Sequence, residues 1–515
     1  MHVSILIYAL GGLAIVRFVL LAVRSITSPL RRVPGPFAAR FTRLWYFNRV
    51  NKGAFEKENI ALHRKYGSIV RIAPDHYSID EPAAIKQIYG IGTHFRKSDW
   101  YYGWQHPDPE RHTVFSDRDI QRHAKQRRKF NALFSTSSLV NYEPFVDRCA
   151  DIFIQRLTEF AYSGASFDMG HWFQCYAFDV IACITYGDRF GFLDEGKDID
   201  QAIAHLWKTI RYSSLVGVFS EWHAFLFPYT SKIPSSGSAG RKYIMDFVQK
   251  QLDRRMAERK RRDLETGRAA SKQQTEAGVP EDFLEKMLNA QEADPDRITM
   301  ADVFAMGQSN IIAGSDTTAI SLCAILYNLI RHPRVMQKLR AELREKESTG
   351  QCSNPRVTFK ESLGMPYFQA VMKEALRMHP ATGLPLWRVV PEGGITIRNL
   401  FFPAGTVVGV NTWVAHYNTD IFGSDANVFR PERWLEASPE QLRRMDAYYM
   451  PFGLGSRTCM GRHVSELEMS KLIPRLVREF DFEVTKKSGN WSSENYWFVK
   501  PTDFEVRVRL AQQES

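Results

Sequence analysis

The amino-acid sequence predicts a mainly α protein with small β-sheets. From about residue 120 to residue 350 the apolar residues recur mostly at the spacing of buried helix faces. Glycine and proline are frequent between Pro380 and Pro431, where turns and short strands are expected. Short segments bounded by turn residues, near both ends of the chain, are typical of strands: Ile69–Ile72, Tyr77–Asp80, Trp497–Val499 and Phe504–Leu510.

The first segment predicts a membrane anchor. Residues Val3 to Val23 are almost wholly apolar and long enough to cross a bilayer as a helix, with Arg17 within snorkelling reach of one end. Arginines follow the segment, so the positive-inside rule places the rest of the chain in the cytosol. A cleaved signal peptide fits poorly, because a basic n-region and a small-x-small cleavage site are lacking. We expect a single-pass anchor at residues 1–24, in the endoplasmic reticulum membrane.

A stiff hinge and one large domain are expected to follow the anchor. Prolines 29, 34 and 36 with Gly35 predict a non-helical hinge at residues 25–40. Residues 41–515 show no internal repeat, and a single large core can reach this size. Within them Arg254–Gly278 is charged, rich in Gln and Ser and poor in aromatic residues, which predicts an exposed loop rather than a domain linker.

Charge and cysteine content narrow the class of protein. The six cysteines show no paired spacing, which indicates a reducing compartment rather than a disulfide framework. The net charge of +11 favours binding to nucleic acid, to an anionic membrane surface or to an acidic protein partner. Zinc-ligand spacing, an RNP-like signature and a basic helix are all lacking, so we expect no nucleic-acid partner.

A long helix is predicted from Thr299, which forms a capping-box pattern with Asp302, to His332-Pro333. Its centre, Ala313-Gly314-Ser315-Asp316-Thr317-Thr318, combines glycine with β-branched threonines, which are weaker helix formers. One interpretation is a tolerated weak point in a core helix. The other is a functional loosening, with an acid beside an alcohol suited to proton transfer.

The sequence with the most functional information is Phe452-Gly453-Leu454-Gly455-Ser456-Arg457-Thr458-Cys459-Met460-Gly461-Arg462. It places one thiol between glycines, and a cysteine thiolate can ligate haem iron. The alternative is a buried structural cysteine in a glycine-rich turn. The segment resembles, at every defined position, the haem-ligand loop of the cytochrome P-450 monooxygenases, Phe-x-x-Gly-x-Arg-x-Cys-x-Gly, and the resemblance extends over nearly the whole chain.

The resemblance implies the cytochrome P-450 fold, a haem (iron protoporphyrin) cofactor and roles for particular residues. Cys459 is expected to be the axial iron ligand, with Phe452 and Gly453 beside the haem and Phe452 shielding the sulfur. Asp316 and Thr317 match the oxygen-activation motif and are expected to relay protons. Propionate donors are expected at Arg457, His123, Arg127 and Arg388, although a histidine in a basic helix is more often simply solvated.

The resemblance also implies a structural network and a substrate pocket. Glu374 and Arg377 lie at i and i+3 of a helix, Tyr367–Met378, a spacing that alone describes a common surface ion pair. Together with Arg433 of Phe429-Arg430-Pro431-Glu432-Arg433-Trp434 they match a three-residue network behind the haem. Segments that match pocket-lining parts of the family are Trp100–Phe115, Asn310–Gly314, Thr382–Leu386 and Trp497–Phe498.

The function implied is that of a haem-dependent monooxygenase, which inserts one oxygen atom from dioxygen into a lipophilic organic substrate. Electrons are expected from NADPH through a separate protein, NADPH–cytochrome P-450 reductase or a cytochrome b-type donor, since a flavin-binding region is lacking. Segments such as Leu384–Arg388 resemble fungal members near the pisatin-demethylase group, which implies secondary-metabolite biosynthesis or a detoxifying demethylase. A haem-thiolate isomerase or dehydratase that does not use dioxygen, and a haem-free scaffold, are alternatives. Asp316-Thr317 argues against the first, and the intact loop around Cys459 argues against the second.

Overall fold

In the computed structural model the chain is mainly helical with small sheets, as the sequence predicts. The structure describes residues 27–108, 112–135, 138, 140–234, 236–266, 281–486 and 491–512, together with residues 8, 12 and 16. The expected membrane anchor at residues 1–24 therefore lies almost entirely outside the described residues.

The helices are numbered in chain order through the described residues. They are α1 (Leu44–Asn51), α2 (Phe55–Tyr66), α3 (Pro82–Tyr89), α4 (Ile120–Phe130), α5 (Glu143–Ser163), α6 (Met169–Tyr186), α7 (Phe192–Glu195), α8 (Ala202–Val218), α9 (His223–Thr230), α10 (Gly237–Thr266), α11 (Phe283–Ala293), α12 (Met300–Arg331), α13 (Pro333–Ser348), α14 (Phe359–Leu363), α15 (Pro366–Met378), α16 (Thr412–His416), α17 (Thr419–Phe422), α18 (Arg433–Glu436), α19 (Pro439–Tyr448) and α20 (Arg462–Glu479).

The strands form four small sheets. They are β1 (Ile69–Ala73), β2 (His76–Ile79), β3 (Arg96–Lys97), β4 (Phe167–Asp168), β5 (Arg388–Val389), β6 (Ile395–Ile397), β7 (Leu400–Phe402), β8 (Val407–Gly409), β9 (Phe480–Val484), β10 (Ser492–Tyr496), β11 (Phe498–Thr502) and β12 (Glu505–Leu510). The largest sheet has the order β1-β2-β8-β5-β3, and only its β2–β8 pair is parallel among the described strands. The others are β4-β12-β9, β10-β11 and β6-β7.

Helix α12 is the central element of the core. The expected capping box is confirmed: the Asp302 N–H donates to Thr299 Oγ1 at 3.2 Å, and the Thr299 N–H donates to Asp302 Oδ2 at 2.9 Å. It is also the one described helix that is long and apolar enough to cross a membrane, but 72% of its most apolar window is buried inside the protein. Gly314 permits close packing on α6, because a Cβ there would lie 2.7 Å from Ile181 Cγ1. We therefore assign α12 to the core.

The prediction of a loop at Arg254–Gly278 is wrong for its first half, because α10 continues to Thr266. Residues 267–280 lie outside the described residues. The charged side chains stabilise this helix through ion pairs. Arg254 pairs with Glu258 one turn away at 2.9 Å, and Arg255 pairs with Asp282 beside α11 at 2.8 Å. Charge content alone was therefore a poor sign of a loop.

Candidate active site

The loop before α20 has one defined shape. The Cys459 N–H donates to the Phe452 carbonyl oxygen at 2.8 Å, and Thr458 Oγ1 donates to the Gly453 carbonyl oxygen at 3.2 Å. Gly455 has a φ of +62°, and a Cβ there would lie 1.9 Å from the Tyr89 carbonyl oxygen. These contacts fix the direction in which Cys459 points.

Cys459 faces space inside the protein. The residue is exposed, whereas the other five cysteines are buried, yet burial raises the pKa of its thiol. An accessible thiol that is surrounded by protein must border an internal cavity. The backbone N–H groups of Gly461 and Arg462, together with the Arg127 guanidinium, lower the same pKa, and Arg127 Nη1 donates to the Thr458 carbonyl oxygen at 2.7 Å. The surroundings thus supply donors and positive charge that favour a thiolate.

The centre of α12 also has an accessible face. Ala313 is exposed and Thr317 half-buried in a helix whose neighbouring turns are buried, and such an accessible face inside a core requires empty space beside it. Thr317 Oγ1 donates to the Ala313 carbonyl oxygen at 2.7 Å, and the helix stays continuous through this turn. This turn is therefore a continuous part of α12, and the functional loosening stays a prediction.

Asp316 takes different partners from Thr317. Its carboxyl group is buried, Oδ1 accepts a hydrogen bond from Gln174 Nε2 on α6, and Oδ2 is buried without a hydrogen-bond partner. Burial raises the pKa of Asp316, and Lys500 lowers it. The arrangement leaves Oδ2 as the carboxyl oxygen that is available to carry a proton.

A surplus of buried positive charge lies beside the cysteine loop. Lys97 and Arg388 are direct cross-strand partners of β3 and β5 and are only 4% and 5% exposed, although like charges opposite each other destabilise a sheet. Burial, then Arg388, lower the pKa of Arg457 to about 10, and Arg457 Nη1 is buried without a hydrogen-bond partner. An anion next to this cluster would offset its positive charge.

Arg127 of α4 adds a further positive charge to this cluster, and His123 of α4 joins it as a neutral ring. Burial, followed by the charges of Lys97, Arg457 and Arg127, lowers the pKa of His123 to about 3. The acid that opposes them, Asp117, is already bound by Arg122 Nη2 at 2.8 Å. The unbalanced cations and the orphaned Arg457 nitrogen fit the propionate carboxylates of a haem, and Cys459 would be its iron ligand. Sequence reasoning missed Lys97, because its partners come from segments far away in the chain.

Glu374, Arg377 and Arg433 meet in a buried network. Arg377 Nη2 donates to Glu374 Oε1 at 2.8 Å, and Arg433 Nε donates to the same oxygen at 2.9 Å. Trp434 Nε1 donates to Glu374 Oε2 at 2.9 Å. His416, which sequence reasoning did not single out, links this network to the segment before Cys459.

The aromatic residues of the predicted pocket segments pack together. Trp100 and Trp497 have ring centroids 5.0 Å apart, and Trp497 holds a φ of +97°, which is rare outside glycine. Tyr101, Trp104 and Phe115 contact the same Trp497 ring. The resulting aromatic cluster lies next to Lys97, whose Nζ is 5.3 Å from the Tyr101 ring centroid.

Comparison with known proteins agrees with this geometry. The family description "Cytochrome P450" matches residues 34–506. The chain is 37% identical to a pisatin demethylase of Fusarium vanettenii, over 93% of this chain and 88% of that protein. It is 35% identical to a cytochrome P450 monooxygenase of Aspergillus terreus, over 90% and 92% of the two chains. The chain belongs to the cytochrome P450 family and is an oxidoreductase of the monooxygenase type.

Proposed function

We propose that this monooxygenase inserts one oxygen atom of dioxygen into a lipophilic small molecule of fungal secondary metabolism, with NADPH as the electron source. The observation that supports it most is the Cys459 thiol, which faces an internal cavity beside unbalanced buried cations. The aromatic cluster around Trp497 supports an apolar substrate, because it gives the site an apolar side.

The residues have distinct proposed roles around the haem, which when bound supplies the iron that activates dioxygen. Cys459 is the iron ligand, and Arg127 with the backbone N–H groups of Gly461 and Arg462 favours its thiolate form against the effect of burial, which raises the pKa of the thiol. The propionates are held by Arg457, His123, Arg127 and Arg388, with Lys97 added from the structure.

Asp316 and Thr317 hold and move protons, whereas the Glu374 network positions the cysteine loop. Asp316 Oδ2 has no competing donor, and Thr317 Oγ1 lies on the accessible face of α12. Phe452 and Gly453 shape the loop through their carbonyl oxygens, which accept from Cys459 and Thr458.

The protein is proposed to be held at the endoplasmic reticulum membrane by residues 1–24, with residues 41–515 as the cytosolic catalytic domain after a hinge at residues 25–40. An exposed apolar surface near α9 supports a membrane-facing side, since Trp222, Phe225 and Tyr229 are each more than half exposed. Arg43 binds Glu221 and so brings the start of the domain next to this surface. Exposed Lys125 and Arg128 on α4 support docking of NADPH–cytochrome P-450 reductase, or of a cytochrome b-type donor.

A carbon-monoxide difference spectrum of the reduced protein tests the haem and its thiolate ligand together. Product formation that requires both dioxygen and NADPH with reductase is the expected result in a membrane preparation. Turnover that continues without dioxygen would instead indicate an isomerase or dehydratase. Metabolite profiles of a strain that lacks the protein then identify the substrate.

A further inference from the structure

Asp316 is joined to Lys500 through a single glutamine side chain. Gln174 Nε2 donates to Asp316 Oδ1, and Gln174 Oε1 accepts a hydrogen bond from Lys500 Nζ at 2.8 Å. Gln174 and Asp316 are each 2% exposed, whereas Lys500, on β11, is half-buried and partly in contact with solvent. The three side chains therefore connect the protein surface with the centre of α12.

The orientation of the Gln174 amide group is fixed by both of its neighbours. A reversed amide would direct its NH₂ group at the Lys500 ammonium and its carbonyl oxygen at the Asp316 carboxylate, and both contacts would be repulsive. In the observed orientation both ends of the amide form hydrogen bonds. The amide dipole that the ammonium orients in this way stabilises the carboxylate.

Lys500 opposes the effect of burial on Asp316. Burial raises the pKa of this carboxyl group, and Lys500 is the charged group that lowers it among the described residues. Thr318, two positions after Asp316, contacts Glu468 and Ser465 of α20 and not Lys500. Glu468 is buried and burial raises its pKa well above the usual range, which favours its uncharged form beside α12.

We propose that Lys500 and Gln174 are positioning residues, which keep Asp316 charged between proton transfers and leave its Oδ2 free to accept a proton. The inference rests on the proposed role of Asp316 in the oxygenase reaction. Lys500 acts through Gln174, so it lies outside the group of residues that touch the haem or the substrate.

Infrared difference spectra of the haem-loaded protein can test this without turnover. The C=O stretching band of protonated Asp316 is identified by its loss in Asp316→Asn and is then followed against pH. In Lys500→Met the midpoint of this titration should rise by about one pH unit, because the ammonium no longer favours the carboxylate. Lys500→Arg should keep the original midpoint, and Gln174→Met should shift it in the same direction as Lys500→Met. An unchanged midpoint in Lys500→Met would overturn the proposal.

A matched control is Lys486→Met, since Lys486 pairs with Asp503 on the surface at 2.9 Å. It should leave the midpoint unchanged. Lys500→Gln removes the same charge and replaces Lys500→Met if that variant does not accumulate.

Product formed per NADPH consumed separates this inference from the proposed function. We expect Lys500→Met to lower this ratio about twofold or more and Lys500→Arg to preserve it. If Asp316→Asn leaves the ratio unchanged, the proposed role of Asp316 is wrong, and the inference that rests on it is overturned. If Asp316→Asn lowers the ratio while Lys500→Met moves neither the ratio nor the infrared midpoint, the inference alone is wrong.

Discussion

The backbone N–H of Met450 donates a hydrogen bond to His416 Nε2 at 2.9 Å. Nδ1 of the same ring lies 3.0 Å from the Arg377 carbonyl oxygen. Burial and then the charge of Arg377 lower the pKa of His416 to about 3, so the ring is neutral and carries its proton on Nδ1. The ring therefore connects the end of α15 to the segment that leads into the cysteine loop.

Loss of either partner of the Glu374–Arg377 pair should abolish stable haem binding. In Glu374→Ala the Arg377 and Arg433 guanidinium groups remain buried without their carboxylate, and in Arg377→Ala the Glu374 carboxylate loses its bidentate donor. Breaking a buried pair in this way costs about 3–5 kcal/mol of the free energy of unfolding. Haem content and thermal denaturation of the purified variants measure the effect.

Arg254→Ala is the control for this pair, because Arg254 forms an exposed ion pair with Glu258 on α10. Its removal should change the free energy of unfolding by less than about 1 kcal/mol and leave haem content unchanged. Equal behaviour of Arg254→Ala and Arg377→Ala would contradict a special role for the buried network.

Cys459→Ser should remove the thiolate spectrum and all turnover, since a neutral hydroxyl is a poor ligand of haem iron. Carbon-monoxide difference spectra of the reduced variant provide the measurement. Cys352→Ser is the control, because the Cys352 sulfur accepts a hydrogen bond from Arg478 at 2.8 Å and a hydroxyl can replace it there. A normal spectrum in Cys459→Ser would disprove the assignment of the iron ligand.

Thr317→Val should leave haem content unchanged while lowering product per NADPH and releasing reduced oxygen as peroxide. The substitution removes the hydroxyl that lies on the accessible face of α12 and nearly preserves the volume. Thr317→Ser keeps the hydroxyl and should stay close to the unchanged protein. If product per NADPH is the same in all three proteins, proton transfer does not depend on this hydroxyl.

Local motifs were predictable from the sequence, and contacts between distant segments were not. The loop around Cys459 and the helix around Asp316 are continuous stretches whose chemistry can be read residue by residue. Lys97 meets Arg388 only because β3 pairs with β5, and Gln174 meets Lys500 only because α6 packs beside β11. Nothing in the sequence around these residues signals such contacts. The interpretation of Arg254–Gly278 was wrong up to Thr266, because Arg255 binds acidic residues beside and on α11, beyond the segment itself.

Lys97→Met should stabilise the haem-free protein and weaken haem retention at the same time. Without haem, burial and then the charges of Arg457 and Arg388 disfavour the Lys97 ammonium and lower its pKa well below the usual range, so its removal should raise stability by up to about 1 kcal/mol. With haem, loss of a charged donor should cost about 1.5–3 kcal/mol of cofactor affinity. Thermal unfolding of the haem-free protein and the rate of haem transfer to an acceptor protein measure the two effects.

Arg96→Met is the control on the same strand, because Arg96 is exposed and pairs with Asp99 at the surface. It should alter neither quantity by more than about 0.5 kcal/mol. If Lys97→Met retains haem as well as Arg96→Met does, Lys97 serves its hydrogen bond to the Val114 carbonyl oxygen, 2.9 Å from its Nζ, and not the propionates.

Neutralising Lys125 and Arg128 together should raise the reductase concentration required for half-maximal turnover. Both side chains are exposed on α4, whereas Arg122 and Arg462 are already paired with Asp117 and Glu466. Association steered by such exposed charges weakens as salt rises, so the salt dependence of turnover should also become less steep in the double variant. Peroxide-driven turnover bypasses the reductase and should stay near normal.

The double variant Arg254→Gln/Arg261→Gln removes the same charge from exposed residues of α10 and should leave the reductase requirement unchanged. If peroxide-driven and reductase-driven turnover fall equally in the α4 variant, Lys125 and Arg128 serve the haem or the fold, and reductase docking on this face is wrong.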